Sequence, residues 1–327
     1  MNSDLDLSVL IATYNRAEIL RETLEAFTRL NREGLSVEFI VIDNNSLDDT
    51  KSVVESFFGR LPLVYLFEPA SGKNRALNKA INEVELGEIV AFTDDDVRPA
   101  ADWLQAMATA TRRWPDYDLF GGQLHPVFPE ATPVPKWAYD RDIVRWGYGL
   151  HAPADCDKPY PKGGHPCGAN MWIRGKIFAN GHRYDETIGP SGKMLFAMGS
   201  ETSLLLELES EGFPMMYVPD AIVGHSIQPN QLSERYMLRR AVRYGRGLAR
   251  IRGVSKANLL KRSRMLWYLF RAFVSCYLIL AFLFRMGVFS LSGRGYEKMC
   301  HIAIWFTFHA ESFRMVRERH VSSAPSC

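Results

Sequence analysis

The chain contains few cysteines, and nothing in their arrangement suggests that they act together. Five cysteines are scattered over 327 residues, and no two of them form a CxxC pair. An odd, dispersed set argues against a disulfide framework and favours a reducing compartment such as the cytosol. No standard zinc motif fits the spacing of His151, Cys156, His165 and Cys167, which argues against structural zinc.

Acidic residues are missing from one long segment near the C-terminus. Residues 235–296 contain no Asp or Glu, although the formal net charge of the whole chain is only +2. Residues 1–234 hold 21 lysines and arginines against 34 acidic residues, whereas residues 235–327 hold 18 against 3. We therefore predict a catalytic region, 1–230, and a basic and apolar helical tail, 231–327, that contacts an anionic partner.

Apolar runs alternate with stretches of helical periodicity over the first hundred residues. The predicted strands are Leu7–Ala12, Val37–Ile42, Leu63–Phe67 and Ile89–Phe92. Helices are predicted between them, at Arg16–Leu30, Asp49–Phe58 and Asn74–Val84. Strands separated by helices indicate an α/β fold, with a Rossmann-like, mostly parallel central sheet flanked by helices.

The second part of this region is less regular in sequence. Helices are predicted at Ala100–Arg113 and Ser200–Gly212, and strands at 167–175 and Met215–Val218. Residues 121–164, rich in Pro, Trp and Tyr, carry no clear periodicity.

Polar clusters follow three of the predicted strands, at 13–16, 43–49 and 94–96. In parallel sheets, ligands bind at the carboxyl ends of the strands. The three consecutive carboxylates of the last cluster repel one another unless a cation neutralises them, and hard oxygen ligands suit Mg²⁺ or Mn²⁺. Because side chains alternate along an extended chain, Asp94 and Asp96 are expected on one side and Asp95 on the other. A solvated acidic turn is the structural alternative.

Six segments in order resemble those of one known family. They are SVLIATYNRAEIL (8–20), EFIVIDNNSLDDT (38–50), GKNRALNKAI (72–81), IVAFTDDDV (89–97), CGANMWIRG (167–175) and GSETSLLLELESEGFPMMYVPDAIVGH (199–225). Together they resemble the family 2 inverting glycosyltransferases, which have the type A glycosyltransferase fold. The resemblance implies transfer of a sugar from a nucleotide-diphosphate donor, with a UDP-sugar expected, and Mn²⁺ or Mg²⁺ as cofactor.

The resemblance also implies which residues bind the donor. They are Thr13, Tyr14, Asn15, Arg16, Asp43, Asn45, Arg75, Asn78, Asp94 and Asp95. Asp43 would bind the nucleobase, and Arg75 and Asn78 would face the diphosphate. The implied metal ligands are Asp94, Asp96 and His225. Structural alternatives are a helix cap for Asp43, a solvated helix face for Arg75 and Asn78, and a packing role for His225.

Inverting transfer needs a base that takes the proton of the acceptor hydroxyl. The resemblance assigns this role to Glu201, in a Ser-Glu pair where relatives usually have Glu-Asp. A helix N-terminal acid stabilised by the helix dipole is the alternative. The implied acceptor or diphosphate contacts are Gly168, Ala169, Asn170, Arg240, Arg243 and Tyr244. The last three lie in RRAVRY, which loosely resembles the QxxRW motif of polysaccharide-synthesising relatives and is otherwise a solvated basic helix.

The tail suggests contact with a membrane. Arg239, Arg243, Arg246 and Arg250 recur at helical spacing, and the apolar segment 265–284 carries one charge, Arg271. The arginine makes a simple span costly, so we predict helices in or on the cytoplasmic leaflet, drawn to anionic lipid. A single span, or a soluble helical subdomain, is the alternative.

The expected protein is thus cytoplasmic and peripherally or monotopically associated with the inner face of the cell membrane. Its acidic N-terminus predicts no signal peptide. Its acceptor would be a lipid-linked saccharide or polysaccharide precursor, and nucleic acid is not an expected partner. Two other functions are a non-catalytic, membrane-bound saccharide-binding scaffold and a sugar-phosphate nucleotidyltransferase. The latter is disfavoured because the loop TYNRAE lacks glycine.

Overall fold

A computed structural model describes residues 5–192, 194–252 and 293–322, so the apolar segment 265–284 lies outside the described residues. The strands are β1 (Leu7–Thr13), β2 (Val37–Asp43), β3 (Leu63–Phe67), β4 (Ile89–Thr93), β5 (Val97–Pro99), β6 (Leu119–Val127), β7 (Lys158–Pro159), β8 (Met171–Arg174) and β9 (Met215–Ser226). The helices are α1 (Ala17–Phe27), α2 (Thr50–Glu55), α3 (Lys73–Glu83), α4 (Trp103–Arg113), α5 (Gly175–Ala179), α6 (Ser200–Ser210), α7 (Glu234–Arg252) and α8 (Gly293–Ser322).

The strands form one sheet in the order β3-β2-β1-β4-β8-β6-β9-β5, with β7 also paired to β9. Strands β1 to β4 are parallel, and β8 runs antiparallel to both β4 and β6. This confirms the predicted α/β fold. In the parallel half, Thr13 is in register with Asp43, so the carboxyl ends of these strands meet at one edge of the sheet.

Two apolar cores cover the two faces of the sheet, as alternation along the strands requires. Leu7, Val9 and Ile11 of β1 belong to the core that contains α1 and α4. Leu10, between them, belongs to the other core, which contains α3 and α6. Helices α1 and α4 therefore pack on one face of the sheet, and α3 and α6 pack on the other.

Strand β6 falls in a region where the sequence predicted no regular structure. Gly121 and Gly122, together with Pro126, weaken the strand pattern. Close packing explains why glycine is needed, because a Cβ on Gly122 would lie 2.2 Å from the carbonyl oxygen of Ala221. The neighbouring strand β9 extends beyond Val218, where it was predicted to end. The pairing register of β6 and β9 shifts between Gly122 and Gln123, and this shift accommodates the residues around Pro219.

The predicted strand at 167–175 is only partly a strand. Gly168–Asn170 form a 3₁₀ turn, Met171–Arg174 form β8, and Gly175–Ala179 form α5. The turn replaces the first part of the predicted strand and brings the chain back towards the edge of the sheet at the carboxyl end of β4, where the Thr93 hydroxyl donates to the Ala169 carbonyl oxygen.

Helices α7 and α8 pack against each other and share a third core with residues 137–148. This core includes Trp137, Tyr148, Met237 and Tyr296. This third core contains residues from both sides of the predicted boundary at position 230. The division of the chain into two regions at that boundary stays a prediction. None of the described helices is long and apolar enough to cross a bilayer.

Candidate active site

A cavity of about 590 Å³ opens where the predicted polar clusters meet. Most of the residues predicted to bind donor, metal or acceptor line it. They are Thr13, Tyr14, Arg16, Asp94, Asp95, Asp96, Gly168, Ala169, Glu201, His225, Arg240, Arg243 and Tyr244. The parallel strand ends supply the acidic side of this set, α6 supplies Glu201, and α7 supplies the basic residues.

Arg16 neutralises two of the three adjacent aspartates. Its guanidinium lies 2.5 Å from Asp95 Oδ1 and 2.7 Å from Asp96 Oδ2, and the Thr13 hydroxyl donates to Asp95 Oδ2 at 2.7 Å. Burial raises the pKa of Asp95 to about 7, against the opposing effect of Arg16. Burial acts in the same direction on Asp96, but His225 and Arg16 outweigh it and hold the pKa of Asp96 below its usual range.

Lys73 neutralises the third aspartate and links it to the predicted base. Its Nζ lies 2.8 Å from Asp94 Oδ1 and 2.8 Å from Glu201 Oε1. Burial would lower the pKa of Lys73, but these two carboxylates raise it well above its usual value, so the side chain stays charged. The sequence analysis missed this residue. Its only signal is its place as the first residue of the helix in GKNRALNKAI.

Glu201 is the second residue of α6, and its position requires a glycine opposite. A Cβ on Gly168 would lie 2.4 Å from Glu201 Cγ. Gly199, immediately before α6, has φ 107°, a left-handed conformation that favours glycine. The 3₁₀ turn and the left-handed residue together allow the carboxylate to lie next to the backbone of the turn.

Asp94, Asp96 and His225 form a group that suits a divalent cation. One potential ligand atom from each lies within 4.8 Å of the others. His225 Nδ1 lies 3.0 Å from the backbone oxygen of Tyr148, so Nδ1 donates there and Nε2 faces Asp96. Nε2 is 3.3 Å from Asp96 Oδ1, a buried oxygen with no other partner among the described residues. Burial lowers the pKa of His225, but Asp96 outweighs this effect and raises that pKa. A divalent cation bound to this group would take the place of the proton on Nε2.

Asp43 is buried behind the cavity lining. Its Oδ2 accepts from the Tyr65 hydroxyl at 2.9 Å and its Oδ1 from the Ser46 backbone N–H at 2.8 Å. Asn15 and Asn45 shape the neighbouring turns, with φ 49° and 67°. The predicted roles of these three residues in binding the nucleotide stay predictions.

Arg75, Asn78 and Asn170 contact other parts of the protein and do not line the cavity. Asn78 donates to and accepts from the Tyr184 backbone, both at 2.9 Å, and Arg75 lies 3.4 Å from Glu186. Asn170 is fully buried, accepts from the Trp103 indole N–H at 2.9 Å and donates to the backbone oxygens of Gln123 and Ala221. These contacts hold the surrounding segments in place.

The basic and aromatic part of the cavity comes mainly from α7. The Arg243 guanidinium lies 4.9 Å from the ring centroid of Phe196 and 5.6 Å from that of Tyr236. Its Nε is buried and has no hydrogen-bond partner in the part of the chain that the structure describes. Trp146 and Tyr244 lie side by side, with ring centroids 6.4 Å apart. Four basic or aromatic lining residues in this part were not predicted from the sequence: Arg145, Trp146, Phe196 and Tyr236.

The sequence profile of the family described as glycosyl transferase family 2 matches residues 8–180. The chain belongs to this family. The match covers β1 to β4, the acidic turn and the 3₁₀ turn with Gly168, which confirms the family resemblance found in the sequence.

Two relatives from Haloferax volcanii show how far the similarity extends. Glycosyltransferase AglE is 31% identical over 128 residues, which cover 38% of this family 2 chain and 41% of AglE. Glucosyl-dolichyl phosphate glucuronosyltransferase is 25% identical over 233 residues, 68% of this chain and 70% of the relative.

A solved structure extends the comparison to the whole fold. The mannosyltransferase PcManGT from Pyrobaculum calidifontis, in complex with GDP-Man and Mn²⁺, superposes with a TM-score of 0.53. The match covers 98% of this chain and 90% of PcManGT, at 18% identity. It confirms the type A glycosyltransferase fold predicted for the chain.

Proposed function

We propose that the chain is an inverting, metal-dependent glycosyltransferase that moves a sugar from a UDP-sugar to a hydroxyl of a lipid-linked saccharide. The observation that carries this proposal is the cavity in which Glu201 and the group Asp94, Asp96 and His225 lie together, linked by Lys73. A base and an anion-stabilising site in one cavity are the two components that single-displacement transfer requires.

Glu201 is the proton acceptor in this mechanism. Its Oε1 lies 2.8 Å from the Lys73 Nζ, and this contact fixes the direction of the carboxylate. The carboxylate takes the proton of the acceptor hydroxyl as that oxygen attacks the anomeric carbon and the bond to the nucleotide diphosphate breaks. During this displacement, the acidic turn is held in place by its contacts with Thr13, Arg16 and Lys73.

Asp94, Asp96 and His225 would hold the metal. When bound there, Mn²⁺ or Mg²⁺ would supply positive charge for the departing diphosphate. Arg16 contacts Asp96 and Lys73 contacts Asp94, so both acids are already oriented by cations from the chain. PcManGT, with the same fold, is described in complex with GDP-Man and Mn²⁺.

The acceptor side is formed by α7 and its neighbours. Arg240 and Arg243 supply positive charge for a phosphate, and Trp146 and Tyr244 supply flat ring faces for a sugar. A lipid-linked saccharide carries a phosphate next to a sugar, so it has the two groups that these side chains would contact. The name of one relative contains glucosyl-dolichyl phosphate. For such an acceptor, we propose peripheral or monotopic attachment to the cytoplasmic face of a membrane.

A screen of nucleotide sugars with the purified full chain tests this function. We expect Mn²⁺-dependent hydrolysis of, or thermal stabilisation by, a UDP-sugar. Stabilisation by a GDP-sugar alone would contradict the donor base. A complete lack of response to all nucleotide sugars, with and without Mn²⁺, would contradict the transferase function and favour a saccharide-binding protein.

A further inference from the structure

One loop touches both members of the ion pair at the centre of the cavity. We call it the 187–199 loop, and it is described except at residue 193. The Pro190 carbonyl oxygen of this loop accepts from the Lys73 backbone N–H at 2.9 Å. At its other end, Gly199 leads directly into α6 and Glu201. Because the loop contacts Lys73 and continues into Glu201, its conformation affects both side chains.

Helix α7 holds the 187–199 loop by its backbone. Arg250 donates to the Thr187 carbonyl oxygen at 2.6 Å, and Arg246 donates to the Leu195 carbonyl oxygen. The Met198 N–H donates to the backbone oxygen of Arg243 at 3.1 Å. The two backbones meet at Gly247, where a Cβ would lie 1.7 Å from the Met198 oxygen. The loop therefore has no room to move towards α7 and is tied to it at three carbonyl or amide groups.

Helix α8 supports α7 on its other side through Glu311. This carboxylate is 5% exposed and accepts from Arg246 Nε at 3.2 Å and from Arg250 Nε at 3.1 Å. Arg314 also pairs with it, at 2.6 Å. Close packing of the two helices is shown by Gly245, where a Cβ would lie 2.4 Å from the Ile304 carbonyl oxygen.

The same two arginines thus contact Glu311 with one part of the guanidinium and the loop with another. Two of the four arginines in the predicted cationic stripe are engaged in this way, and their side chains are only 23% and 24% exposed. Arg246 and Arg250 lie one helical turn apart, so their positive charges would repel each other if no anion lay between them. With Glu311 present, both guanidiniums are oriented before they contact the loop.

We propose that Glu311 is a positioning residue of the active site. It acts through Arg246 and Arg250 on the 187–199 loop, and through the loop on Lys73 and Glu201. The part of this inference that concerns turnover rests on the proposed function; the part that concerns the loop does not. Glu311 lies far along the chain from the acidic turn, on a helix whose described side chains do not line the cavity.

Hydrogen exchange of the full chain, followed by mass spectrometry, tests the effect on the loop directly. In Glu311→Gln we expect exchange in the 187–199 loop to rise about tenfold, the size that loss of one charge-assisted hydrogen bond allows. Exchange in β1 to β4 should stay unchanged. The matched control is Glu297→Gln on the same helix, because Glu297 pairs with His301 at 3.4 Å and not with α7. Unchanged loop exchange in Glu311→Gln, or an equal rise in the control, would overturn the proposal.

A second variant guards against a folding defect in α8. Arg250→Gln removes the donor to Thr187 and leaves Glu311 paired with Arg246 and Arg314. It should raise exchange in the same loop, and unchanged exchange there would also count against the proposal. In kinetics, Glu311→Gln should lower kcat with UDP binding unchanged, and Glu311→Asp should restore part of it. A parallel loss of UDP binding would count against a role of Glu311 that is confined to positioning Lys73 and Glu201. If the wild type proves inactive, the exchange result still decides whether Glu311 orders the loop.

Discussion

Lys73 and Glu201 form an ion pair of 2.8 Å across the cavity, although 128 positions separate them in the sequence. The same ammonium lies 2.8 Å from Asp94. This pair joins the first residue of α3 to the start of α6 and connects the predicted metal ligands to the predicted base.

Removal of the Lys73 charge should reduce turnover. In Lys73→Met, Asp94 and Glu201 lose their shared cation, and we expect turnover to fall roughly tenfold to a hundredfold, from the loss of about 1.5–3 kcal/mol per hydrogen bond to a charged group. Steady-state kinetics measures this. Lys79→Met is the control on the same helix, since Lys79 pairs with Glu83 of that helix and lies outside the cavity lining. Equal effects of the two substitutions would contradict the role given to Lys73.

Glu201→Gln should abolish most transfer and leave donor binding intact. The amide cannot take a proton, so turnover should fall about 10²–10⁴-fold, the usual contribution of a general base. Glu207→Gln, on an exposed position of the same helix, should retain normal turnover. Near-normal transfer by Glu201→Gln, measured with saturating donor and acceptor, would exclude Glu201 as the base.

Gly168→Ala should affect activity more than stability. The new Cβ would lie 2.4 Å from Glu201 Cγ, and the flexible side chain can turn away, so the carboxylate moves while the fold remains. Gly59→Ala gives the opposite result, because open space surrounds Gly59 but its φ is 83°. We expect that control to lose roughly 1–2 kcal/mol of unfolding free energy with unchanged turnover. Thermal denaturation and kinetics together separate the two outcomes.

The contribution of Glu311 to stability should depend on pH. Burial would raise its pKa, but Arg314, Arg246 and Arg250 hold the pKa below the ordinary value of 4.5. A depressed pKa in the folded state stabilises the protein above about pH 4.5, and this effect is lost as the pH falls through the folded-state pKa. Glu311→Gln should therefore lose about 1–3 kcal/mol near neutral pH. Urea denaturation should show the difference from wild type shrinking below about pH 4.5. A difference that is constant with pH would contradict the charged contact.

Arg243→Met should weaken the acceptor side alone. Arg243 lines the cavity and its guanidinium lies over the rings of Phe196 and Tyr236, so its positive charge is close to an anionic group bound there. We expect the KM for a phosphate-bearing acceptor to rise about tenfold, as loss of a charge-assisted hydrogen bond implies. UDP binding should not change. Arg239→Met, on the same helix outside the cavity lining, should leave both constants near wild type.

The sequence predicted those parts of the site that depend on strand ends. The apolar runs of β1, β2 and β4 are continuous, and parallel strands must end at the same edge, so Thr13 and Asp94–Asp96 were expected together. Strand β6 was not predicted because Gly121 and Gly122 interrupt the apolar pattern of the strand. Close packing requires glycine at both positions.

The contacts across long sequence distances could not be predicted in this way. The 187–199 loop contacts the start of α3 and leads into α6, where Glu201 pairs with Lys73. No local sequence pattern predicts this contact. Arg246 and Arg250 looked like part of a solvated or lipid-facing stripe. Their partner, Glu311, follows the long segment without acids and lies on another helix. Periodicity identifies a charged face of a helix but does not identify what covers it.

Calorimetric titration of the full chain with UDP, with and without Mn²⁺, tests the central claim most directly. The account predicts that UDP binds in the presence of Mn²⁺, that binding weakens sharply without the metal, and that Asp96→Asn removes this dependence. Equal binding of UDP with and without Mn²⁺, or no binding of UDP under either condition, would contradict a metal-assisted transferase at this site.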